Sequence, residues 1–165
     1  MKQATTPPLP DRAQEIRSLL GDAWLPCIYR RILKTRTRSY HFGALPRNAR
    51  IEIQHTLLGV ELKIGRRRLL CPDLAMARYL SVFARAGSNQ VAIPYDITQV
   101  SRIADELESA WQRMLLLIEH NLPSKAVRTR IRGLLLAKLR AEIAAAGAGT
   151  AVPEFKQSTR QRRDD

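Results

Sequence analysis

Cysteine, histidine and aromatic side chains are scarce in this chain, and each scarcity removes a class of function. The two cysteines, Cys27 and Cys71, form no CxxC pair and cannot build a disulfide framework between them. His41, His55 and His120 are scattered as well, so no spacing suits a zinc site, and no metal is expected from these residue types. Aromatic residues make up 5% of the chain, too few for a broad base-stacking platform. The longest apolar runs, MLLLI at 114–118 and LLL at 134–136, fall far short of the roughly 20 residues that span a bilayer. The opening residues MKQATTPPLPD contain no apolar signal-peptide core, so a cytoplasmic protein with no membrane partner is expected. The chain lacks GxxxxGK[ST], GxGxxG, HExxH and GxSxG, and shows no RRM, KH, zinc-finger or helix-turn-helix signature.

Acidic residues are also in the minority. Fifteen stand against 28 basic ones, for a net charge of +13. The excess is uneven: residues 26–70 hold eleven basic and two acidic side chains, whereas residues 71–122 hold four and six. Of the cations, 22 are arginine, whose planar fork suits bidentate contacts to phosphate or carboxylate. A field of this kind draws polyanions, either nucleic acid or an acidic protein.

With 165 residues, 45% of them hydrophobic, the chain can bury one domain-sized core. The expected organisation is a flexible leader over 1–10, a single globular domain over 11–146 and a flexible basic tail over 147–165. Asp11 is placed to cap a first helix through Ile16, Leu19 and Leu20, ending near Gly21. A second helix follows from Asp22 to about Lys34, with Pro26 in its first turn. From 50 to 70 the period changes to two, with Ile51 and Ile53, then Val60, Leu62 and Ile64, alternating with polar residues; this predicts strands. Ile53, Leu57, Val60 and Ile64 also fit a helical stripe, so a helix over 48–64 stays open. A third strand is expected at 69–71, a helix over 73–86 closed by Gly87, and a short strand at 91–93.

Asp96-Ile97-Thr98-Gln99 resembles a capping box, with Tyr95 and Val100 placed as a hydrophobic staple. Ile97, Val100, Ala104, Leu107, Trp111, Met114 and Ile118 then recur at spacings of three and four. Pro123 breaks that helix and Ser124 starts the next. The two segments, about 96–120 and 124–146, should form an antiparallel hairpin. Cations of the second, such as Arg128 and Arg132, are expected to meet Asp105, Glu106, Glu108 and Glu119 across it. Its remaining apolar surface allows homo-oligomerisation through these helices. The fold class is therefore α+β and mainly helical.

Function follows the charge. Arg30, Arg31, Lys34, Arg36 and Arg38 form one cluster, Lys63, Arg66, Arg67 and Arg68 another, and Arg47 and Arg50 lie between. Tyr29, Tyr40 and Phe42 are interleaved with the first and could stack on exposed bases. The leading expectation is a small nucleic-acid-binding protein for RNA or structured DNA, recognising backbone and shape without a catalytic motif. An adaptor or assembly factor docking an acidic partner is the alternative.

Glu61-Leu62-Lys63 on a strand offers another. It resembles the E-x-K element of the restriction-endonuclease-like nucleases, and the order of elements over 11–94 is similar to that group's core. The resemblance implies that Glu61 would help hold Mg²⁺ while Lys63 orients the attacking water. The group's upstream aspartate has no counterpart, because no aspartate lies between Asp22 and Asp73. Glu52 is the nearby acid.

Overall fold

The computed structural model describes residues 8–46, 49–122 and 124–149. Most of the expected leader and tail, and Arg47, lie outside the described residues. The elements run α1 (Leu9–Leu20), a short 3-10 turn (Gly21–Ala23), α2 (Leu25–Leu33), β1 (Thr37–His41), β2 (Ile51–Thr56), β3 (Gly59–Ile64), β4 (Arg67–Cys71), α3 (Leu74–Ala86), β5 (Gln90–Pro94), α4 (Ile97–Asn121) and α5 (Lys125–Ala146). The fold is α+β and mainly helical, as expected.

Residues 51–71 form an antiparallel meander in the order β2-β3-β4, which removes the helical alternative. The register follows from burial. Ile51 opposes Ile64, Ile53 opposes Leu62 and His55 opposes Val60 on one face. Leu62 and Ile64 are fully buried, each stabilising by about 1.5–3 kcal/mol on burial. The opposite face carries the rows Glu52–Lys63–Arg68 and Gln54–Glu61–Leu70. A second, two-stranded sheet pairs β1 with β5 antiparallel. The sequence offers no apolar alternation at 37–41 (TRSYH), so β1 is a strand that the sequence pattern does not announce.

Helix α3 packs against the meander and against α4. It is buried on most of its circumference, from Met76 to Ala86. Asp73 caps it, Oδ1 accepting from the Met76 N–H at 2.8 Å. Gly87 ends it in the left-handed region, φ 80°, where a side chain would be strained. The α4 stripe is core from Val100 to Ile118, while Ile97 is exposed at the first turn. Asp96 does cap α4, but it accepts from the N–H and hydroxyl of Thr98. Tyr95, expected as a staple, carries the Arg36 guanidinium over its ring at 5.0 Å. At the other end of the chain, α1 begins at Leu9 with Pro8 at its N-cap. Asp11 therefore lies in the first turn and is not the cap.

The helical layer is fastened by side chains rather than by a long α4–α5 seam. α5 packs mainly on α1 and α2, and α4 mainly on α3. Glu142 on α5 accepts from Arg17 at 2.9 Å and from Trp24 Nε1 at 2.8 Å. The acids of α4 consequently meet cations other than those expected: Asp105 and Glu108 hold Arg78 of α3, and Glu106 holds Arg31 of α2. No helix among the described residues is long and apolar enough to cross a membrane.

Candidate nucleic-acid interface

The structure sorts the sequence-predicted cations into engaged and free groups. Arg31 forms its ion pair with Glu106, and Arg50 pairs with Glu52 at 2.6 Å. Arg30 lies 3.9 Å from Glu142 and donates to Cys27 Sγ at 3.6 Å. Arg36 is stacked on Tyr95. Lys34, Arg38, Arg66 and Arg68 are exposed, and Lys63 is half-buried on the outer meander face. Within the described residues these five make no ion pair.

The run Arg66-Arg67-Arg68 does not act as one patch. Arg66 sits in the turn after Gly65, whose φ of 59° makes that turn possible. Side chains then alternate. Arg68 joins the outer row with Lys63 and Glu52. Arg67 shares the face of Leu69 and Cys71 and donates to the Phe42 carbonyl at 2.5 Å and the Ala44 carbonyl at 3.3 Å. It ties the start of β4 to the loop after β1. The parity of Leu69 and Cys71, both apolar, is the sequence signal that separates Arg67 from the face of Arg68, although Arg67 itself stays exposed at the strand's start.

Of the three expected stacking residues only Tyr40 is partly accessible. Tyr29 is 0% and Phe42 1% exposed, so neither can stack on a base. Both are core for a physical reason. Tyr29 lies on the apolar face of α2 with Ile28 and Ile32, where its hydroxyl donates to the Gly147 carbonyl and accepts from the Ala92 N–H at 3.0 Å. Burial pushes its pKa up, against a lowering by the Ala92 hydrogen bond. Tyr79 completes this anchorage of β5, donating to the Ala92 carbonyl at 2.5 Å. Phe42 packs edge-on against Tyr40, with centroids 5.1 Å apart.

Tyr40 joins the two basic clusters. Its phenol is raised above its ordinary value first by burial and then by the neighbouring Cys71, while Arg67 and Arg38 pull it down. A single side chain thus feels guanidiniums from β1 and from β4. The exposed cations Arg38 on β1, Arg66 in the β3–β4 turn and Arg68 on the outer meander face make up the basic strip, while Arg67 lies on the other face of β4.

The three residues of the E-x-K resemblance also meet. Glu52 directly opposes Lys63, and Glu61 stands on the same outer face one pair along. One Glu61 carboxylate oxygen, Oε2, is buried without a hydrogen-bond partner. Glu52 is engaged by Arg50, and Gln54 donates to it at 3.5 Å. Among the described residues no three His, Cys, Asp or Glu side chains are grouped to hold a metal ion. Two diagonal carboxylates, one of them salt-bridged, are a poor fit to Mg²⁺, which favours octahedral oxygen ligation.

No protein-family model, curated protein or solved structure matches the chain.

Proposed function

We propose that the protein binds nucleic acid, RNA or structured DNA, through the strip on β1, the β3–β4 turn and β4. The supporting observation is that Arg38, Arg66 and Arg68, on β1, in the β3–β4 turn and on β4, are exposed and make no ion pair among the described residues, whereas Arg17, Arg31 and Arg78 of the helices meet acids. Guanidiniums held on a rigid sheet suit phosphate oxygens, and the near absence of exposed aromatics there favours backbone and shape over base stacking. Binding of this kind releases counterions, so affinity falls steeply as salt rises.

A gel-shift series with duplex, hairpin and single-stranded probes at increasing salt tests the reading. Affinity with a negative salt slope is expected, and no binding at low salt would sink it. Pull-down from nuclease-treated lysate separates the adaptor reading, since an acidic protein retained after nuclease treatment would favour that class. The convergence of Glu52, Glu61 and Lys63 gives the nuclease reading its own test. Mg²⁺- or Mn²⁺-dependent cleavage that disappears in both Glu61→Ala and Lys63→Ala would bring it forward.

A further inference from the structure

A cleft of about 920 Å³ opens between the start of β2, the end of α3 and the middle of α5. Its floor is apolar, made by Leu45, Ile51, Ile64, Ala84 and Leu136. Arg85, Arg132 and Arg140 stand around it, and no acidic side chain lines it among the described residues. Arg140 is partly committed, Nη1 donating to the Ala86 carbonyl at 3.4 Å at the end of α3. Arg85 borders a neighbouring groove that contains Asp105 and Glu108, but those acids already hold Arg78. Arg132 has no ion pair among the described residues. Like charges around a concave, low-dielectric space focus a positive field into it.

The chemistry of the walls narrows the ligand. Three guanidiniums exceed what one carboxylate needs and suit a phosphate, which they can grip by paired hydrogen bonds. Asn89 and Thr129 add neutral polar groups beside the apolar floor. That combination, a cationic rim over an apolar surface with a few donors and acceptors, matches an apolar-faced ring bearing a phosphate. A fatty acid would prefer an enclosed apolar tunnel. Gly133 leaves the α5 wall open, since a Cβ there would meet nothing within 4 Å.

We propose that this cleft binds a nucleotide, with its phosphate among Arg85, Arg132 and Arg140 and its base on the apolar floor. The nucleotide is either free or an unpaired residue of a bound strand, and only the second source rests on the nucleic-acid reading above. The cleft adjoins the basic strip. Pro46 and Ala49 form part of its lining and sit beneath the β3–β4 turn, where a Cβ on Gly65 would lie 3.8 Å from Ala49 and 4.0 Å from Pro46. A strand on Arg66 reaches the cleft by crossing that one turn.

The test titrates the full chain with adenosine monophosphate, adenosine and inorganic phosphate, read by calorimetry or NMR shifts. Wild type should bind the monophosphate saturably and about tenfold tighter than either half. Arg132→Gln and Gly133→Leu should each weaken it about tenfold or more. Gly133→Leu should leave the melting temperature unchanged or higher, because its side chain enters open space and leucine favours a helix over glycine. Arg66→Glu/Arg68→Glu should keep mononucleotide binding, so failure of the strip leaves the cleft standing and failure of the cleft leaves the strip. If Gly133→Leu also weakens an oligonucleotide, the strand supplies the ligand; if only the monophosphate is affected, the ligand is free nucleotide. Absence of saturable monophosphate binding by wild type would overturn the proposal. So would equal affinity for inorganic phosphate, equal displacement by octanoate, or unchanged binding in both cleft variants.

Discussion

Two sets of arginines do different jobs in this molecule, one on the helices (Arg17, Arg31 and Arg78) and one on β1 and around the β3–β4 turn (Arg38, Arg66 and Arg68). On the helices, Arg17 meets Glu142, Arg31 meets Glu106, and Arg78 is shared by Asp105 and Glu108. The acids that neutralise them come from α4 and α5. On the strands, Arg38, Arg66 and Arg68 look out from β1, the turn and β4, where Glu52 and Glu61 are the acids of the meander and Glu52 is already held by Arg50. Net charge therefore says little about partners until it is divided by layer. Arg17, Arg31 and Arg78 join α1, α2 and α3 to α4 and α5; Arg38, Arg66 and Arg68 make no ion pair among the described residues and are available to a polyanion.

The comparison breaks most readily at the strip. Arg66→Glu with Arg68→Glu should lower nucleic-acid affinity by about a hundredfold, roughly 3 kcal/mol, and reduce the salt slope by about 1.5–2. Thermal stability should stay within about 0.5 kcal/mol, as neither side chain has a partner to lose. Loss of affinity with an unchanged salt slope would show that the pair does not contact phosphates. Tyrosines sharpen the contrast. Tyr29→Phe leaves the Gly147 carbonyl and Ala92 N–H short of a partner and should cost about 2 kcal/mol in chemical denaturation. Nucleic-acid affinity should not change. Tyr40→Ala should do the reverse, weakening binding with a smaller stability cost; an unaltered gel shift would remove Tyr40 from the interface.

These differences follow the line between what a local stretch of residues determines and what only the assembled fold determines. Period two over 51–64, the Gly87 stop of α3, the Asp96 cap and the α4 stripe are legible, because each is a local pattern whose cause lies within a few residues. β1 is not, since Thr37–His41 shows no alternation of its own and owes its conformation to a partner strand about 50 residues away. The ion-pair partners of α4 were misplaced for a similar reason: adjacency in sequence suggested α5, while packing put α3 and α2 against those acids. The candidate stacking residues failed by face rather than by type, as Tyr29 shares the i, i+3, i+4 side of α2 with Ile28 and Ile32. The cleft draws on residues from 45 to 140, a juxtaposition no window of sequence contains.

Smaller effects test the helical side of the contrast. Arg78 is 24% exposed and its guanidinium is driven more strongly toward the charged form by hydrogen bonds to Glu108 and Asp105. Arg78→Gln should destabilise by about 1–2 kcal/mol, discounted for the solvent that screens the Asp105 end, and leave nucleic-acid affinity untouched. A variant that instead loses binding without losing stability would place Arg78 in the interface and erase the division between layers.

The smallest effect belongs to Asp96, the acid that caps α4 and that pairs with no arginine among the described residues. The Thr98 hydroxyl and N–H hold its carboxyl below the ordinary value of 3.8. Because the folded pKa is depressed, the carboxylate's contribution is fully present above that ordinary value and is lost as pH falls through the lowered one. Asp96→Asn keeps a capping oxygen but cannot titrate. Denaturation midpoints of wild type and Asp96→Asn should therefore run parallel near pH 6, with wild type losing ground below about pH 4. Parallel curves down to pH 2 would mean that the Thr98 hydrogen bonds do not distinguish the charged carboxylate, leaving α4 held in the fold by its buried stripe and its two arginine contacts alone.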